Sequence, residues 1–117
     1  MTPQNKLPVM VCALLLASPV FGEEIPREQM EPLMEECQRQ RQEHIAPLRE
    51  EAIEHCVTDR RQDRETCERR NRNYGERTHG GTQAGLFWQL PACEKAVAAE
   101  RYFRMNPGRN IFAYEGP

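Results

Sequence analysis

The chain has 117 residues, 29% of them charged and 38% hydrophobic, with a formal net charge of −2. That length fits one small domain. A near-neutral balance excludes a strong electrostatic pull on nucleic acid or anionic membrane.

The first 22 residues read as a cleaved export signal. Lys6 precedes an apolar run from Leu7 to Ala17, and Val20 and Gly22 supply the small residues ahead of a cut before Glu23. The run is too short to span a bilayer, which takes about 20 apolar residues, so no transmembrane segment is expected after cleavage. Removing Lys6 takes the formal charge from −2 to −3.

Residues 23–117 then form a single small helical domain. It contains four cysteines, Cys37, Cys56, Cys67 and Cys93. An even count in a short exported chain reads as two disulfides in an extracytoplasmic compartment, periplasmic or secreted. Leu, Ile, Val and Phe make up only 13 of these 95 residues. Cross-links are the expected substitute for a thin apolar core.

In chain order, Pro26 or Pro32 opens a first helix. Its apolar stripe runs Met30, Leu33, Met34, Cys37, Ile45, Leu48, Ala52, Ile53 and Cys56, with Arg41 and His44 interrupting it. Glu35–Arg39 and Arg39–Glu43 lace the other face. Pro47 is expected to kink this helix rather than turn it, because no Gly, Asn or Asp flanks it. The segment from Thr58 to Asp63 breaks the pattern. Asp63 caps a second helix that runs through Cys67 to about Tyr74, ahead of Gly75. Gly75 to Gly85 reads as a loop. The dense apolar cluster Leu86–Leu90 leads into a third helix from Pro91 to about Met105, which Asn106-Pro107-Gly108 terminates. Alanines 92, 96 and 99 give that helix a flat face. The tail Ile111–Tyr114 is apolar enough to dock.

The expected fold is therefore all-α: a small disulfide-braced helical hairpin plus a third packed helix. On one continuous helix Cys37 and Cys56 lie roughly 28 Å apart, far beyond the reach of about 7 Å that a disulfide allows. Cys56 and Cys67 flank the turn symmetrically. The favoured pairing is Cys56–Cys67 with Cys37–Cys93. The rival, Cys37–Cys56 with Cys67–Cys93, requires a turn at Pro47, and the crossed pairing is the least favoured.

Few residues suggest chemistry. No two cysteines stand two apart, as redox sites usually have them. Ser18 is the sole serine and falls in the leader; Thr58, Thr66, Thr78 and Thr82 sit in no nucleophile motif. Glu51, His55 and Asp59 share a helical face and are weak candidates for a metal. The reading preferred for them is an exposed histidine among ion pairs. His44 and His79 have no ligand spacing nearby. The arginine-rich stretch from Arg60 to Arg77 is nearly balanced by acids, which disfavours nucleic acid and leaves an acidic or phosphate-bearing partner more plausible. Phe87 and Trp88 could form an interface, but burial between the third helix and the hairpin is preferred.

These features lead to an exported, non-enzymatic helical protein that binds or supports another extracytoplasmic protein, with no cofactor. The alternative is a small ligand- or metal-binding periplasmic protein using His55 and its neighbours. Partner identity and oligomeric state do not follow from the sequence.

Overall fold

The computed structural model describes residues 3–4, 22–77 and 84–117. The expected leader, 1–22, therefore lies outside the described residues except for positions 3, 4 and 22. His79, Thr78 and Thr82 also lie outside them.

The elements run β1 (Glu23–Pro26), a single 3-10 turn (Arg27–Gln29), α1 (Met30–Asp59), α2 (Arg64–Arg70), α3 (Pro91–Met105) and β2 (Ile111–Tyr114). The fold is mostly helical, but the all-α expectation is corrected by a two-stranded antiparallel sheet. In it β1 pairs with β2 and Ile25 stands opposite Phe112. Each strand alone is too short to hold. They are fixed by Ile25, which is 2% exposed and packs on Ala99 and Phe103. Arg27 completes the clasp. Its backbone N–H donates to the Asn110 carbonyl at 2.8 Å, and its guanidinium donates to the carbonyls of Asn106 (3.1 Å) and Pro107 (3.0 Å) at the end of α3. The same guanidinium lies 4.7 Å from the centre of the Phe103 ring. The last carbonyls of a helix lack partners within it, and a cation there complements the helix dipole.

Helix α1 continues for 30 residues without a break at Pro47. Proline leaves the carbonyl four residues earlier without its usual donor. Here both Glu43 and Pro47 are exposed, so water can serve that carbonyl. The turn alternative at Pro47 is absent. At its far end α1 gives way to α2, where the Asp63 carboxylate accepts from the Thr66 amide at 3.0 Å and from the Thr66 hydroxyl at 2.7 Å. Helix α2 ends at Arg70, earlier than the sequence pattern implies. The chain then turns through residues 71–75 to Gly75, whose φ of +85° is the left-handed conformation expected of it.

The core is a row of three small clusters along α1. The first is Ile25, Ala99 and Phe103. The second is Cys37, Cys93 and Ala96. The third is Ile53, Cys56 and Cys67. Two of the three are built on disulfides, Cys37–Cys93 and Cys56–Cys67. Ala96 and Ala99 are fully buried, and such short side chains let α3 lie close against α1. The Cα atoms of Cys37 and Cys93 are 4.6 Å apart.

Candidate binding surface around a buried arginine

Cys37, Arg41 and Ile45 follow one another at four-residue steps on α1, and all three are 0% exposed. A guanidinium on the buried line of a helix must be paired, because an uncompensated buried charge costs several kcal/mol. Arg41 is paired on every side. Its Nε donates to the Leu86 carbonyl at 2.7 Å, and one terminal nitrogen donates to the Gly75 carbonyl at 3.1 Å. The other donates to Gln38 at 2.7 Å and to the Glu76 carboxylate at 3.3 Å. The indole of Trp88 covers the guanidinium at 4.2 Å. Such a planar fork suits both carbonyl and carboxylate geometry and stacks on aromatic faces.

Arg41 thereby seats two segments that are remote in sequence onto one patch of α1. A backbone bond from the Leu86 amide to the Gly75 carbonyl, 2.8 Å, ties those segments to each other. Space at the junction is tight. A Cβ on Gly75 would lie 2.9 Å from the Ile45 side chain. One on Gly85 would lie 2.7 Å from the Trp88 indole nitrogen.

The turn that follows Gly85 presents aromatic side chains at the surface. Phe87 has φ of +64°, a region that bulky side chains rarely occupy. Such a backbone costs about 1–3 kcal/mol and persists only where the surroundings impose it. The Phe87 ring stacks on His44 with centroids 5.1 Å apart. Leu86 is 38% exposed. Arg61, in the α1–α2 turn, is the other non-glycine with positive φ among the described residues; its place at the hairpin bend accounts for it.

Phe87 and Trp88 are both half-buried, so the preferred burial between the third helix and the hairpin is met only in part. Trp88 packs one face on Arg41 and borders the Cys37–Cys93 cluster. It also walls a groove of about 580 Å³ that runs beside α3 and is lined by Met34, Val97 and Ala98 with Glu94 and Arg101.

The weak metal candidates end up elsewhere. The His55 Nδ1 lies 2.6 Å from the Asp59 carboxylate one turn on, with both side chains largely exposed. Glu51 is also exposed. Among the described residues no three His, Cys, Asp or Glu side chains converge as a metal site would need. The cleft beside His55 is lined by Arg60 and Arg70, which offer no coordinating lone pairs. A second arginine braces the hairpin. Arg64 bridges from α2 to Glu50 and Glu54 on α1 and to Glu68 on its own helix. Those bonds, to Glu54 first and then to Glu50, hold its guanidinium more firmly protonated than usual.

Sequence reasoning missed Arg41. A charge within the stripe reads as an interruption, although its four-residue spacing to Cys37 and Ile45 was a signal that it lies on the buried line. Two disulfides fit an oxidising compartment, and no described helix is long and apolar enough to cross a membrane. No family model matches this chain, and no curated protein or solved structure is detectably similar to it.

Proposed function

We propose that this is an exported, non-enzymatic adaptor that binds another extracytoplasmic protein through the aromatic turn Leu86–Phe87 and the adjoining His44. The observation that carries this reading is Phe87, an aromatic residue held at φ +64° while its side chain remains half-exposed. A fold that needed only a tight turn here would be better served by glycine. Retaining a large ring in that backbone suits a surface that is set before its partner arrives, which reduces the ordering cost of association. Rigid aromatics are also the residues that most often dominate protein interfaces.

Phe87→Gly separates this role from a packing role. The substitution removes the backbone strain and deletes only a half-buried ring, so the urea midpoint is expected to stay near that of the wild type. Capture of the partner from the extracytoplasmic fraction of the native host is expected to fall at least about tenfold, the loss of one hot-spot aromatic. Unchanged capture by a well-folded Phe87→Gly protein would defeat the reading.

A further inference from the structure

The outer face of α3 has a chemical palindrome. Glu94 and Arg101 stand two turns apart, about 10 Å along the axis. Val97 and Ala98 lie midway between them, and Met105 lies one turn beyond Arg101. Glu94, Val97, Ala98 and Arg101 all line the α3 groove. Met105 is 73% exposed. Neither Glu94 nor Arg101 makes an ion pair with any described residue, whereas neighbouring Arg104 reaches Glu100 on its own helix at 3.6 Å.

The geometry points to a second copy of this chain as the occupant of that groove, its α3 laid antiparallel to the first about a two-fold axis between Val97 and Ala98. A two-fold interface must be self-complementary, and this face is. Running the same helix backwards sets Glu94 opposite Arg101 of the other copy, and symmetry repeats that pair. It also sets Val97 opposite Ala98. The small central residues allow the axes to approach to about 8–10 Å. A partner of unrelated sequence would have no reason to meet a palindrome. A single helix pair buries less than the roughly 1,200 Å² of a standard complex, so the dimer is a weak one that forms and dissociates with concentration. This inference is independent of the aromatic turn.

Sedimentation equilibrium from micromolar to millimolar chain tests it. The wild type is expected to pass from monomer to dimer. E94R and R101E each place like charges across both contacts, and each is expected to weaken self-association by at least about tenfold. Mixing E94R with R101E puts opposite charges at both crossings again and is expected to restore a one-to-one dimer. Circular-dichroism melts matching the wild type establish that each variant is folded, as expected for changes on the outer face. A wild type that stays monomeric throughout overturns the proposal, and so does a mixture of folded variants that fails to associate.

Discussion

Arg41 holds the loop side of the molecule by three hydrogen-bond acceptors and one aromatic face. Its removal would leave the Leu86 carbonyl without its side-chain donor and the Gly75 carbonyl with the Leu86 amide alone, beside the cavity the side chain vacates. Unmade bonds of that kind, together with the cavity, are expected to cost Arg41→Ala about 3–5 kcal/mol in urea unfolding. Lysine cannot replace it, because a point charge reproduces neither the fork nor the stacking. Trp88 fluorescence should shift to the red in Arg41→Ala while helical circular dichroism is retained, since both disulfides remain. Asp63 acts on a smaller scale. The Thr66 hydroxyl first, and then the Thr66 amide, hold its carboxyl below the ordinary carboxylate range. A lowered folded-state value stabilises above the unfolded one and is lost as pH falls through the folded one. The stability difference between the wild type and Asp63→Ala is therefore expected to be full at neutral pH and to shrink from about pH 4 downward, as paired urea titrations would record. Asp63 was legible because a cap is a local device, written within four residues. Arg41 was not, because the carbonyls it serves come from 34 to 45 residues away and a charge without a visible partner reads as surface.

The same division between local and remote information decides which elements could be foreseen. Pro91 and Asn106-Pro107-Gly108 bracket α3 in the sequence, and the helix fills the space between them. Helix α1 was readable from its stripe, and its passage through Pro47 from the want of turn residues there. The sheet was not readable. Four residues at one end and four at the other carry no alternating pattern long enough to interpret, and their pairing depends on Arg27 and Ile25 meeting the far end of α3. Helix α2 fell short of its expected end because the chain must bend at residues 71–75 to bring Gly75 under Arg41. The two disulfides brace different elements, so their loss should differ in kind. Replacing Cys37 and Cys93 by alanine is expected to cost about 4 kcal/mol and to release α3 together with the sheet. Replacing Cys56 and Cys67 should cost about 3 kcal/mol and loosen only the α1–α2 hairpin. Hydrogen exchange resolved by segment distinguishes the two outcomes.

At the scale of the whole molecule, the structure is a single long rod to which everything else is fastened at three points. Cross-links and one arginine do much of the work that a larger protein would assign to apolar bulk. The continuity of α1 has a consequence for how the chain matures. A chain delivered amino end first presents Cys37 to the oxidant, then Cys56 and Cys67, and Cys93 only near the end. During that interval the wrong neighbour is the closest one along the sequence. A helix that has already formed between residues 37 and 56 acts as a spacer, keeping those two thiols roughly 28 Å apart. Cys56 is then free to bond with Cys67 while Cys37 waits. A helix formed that early would favour the native pairing of the cysteines over the sequential one.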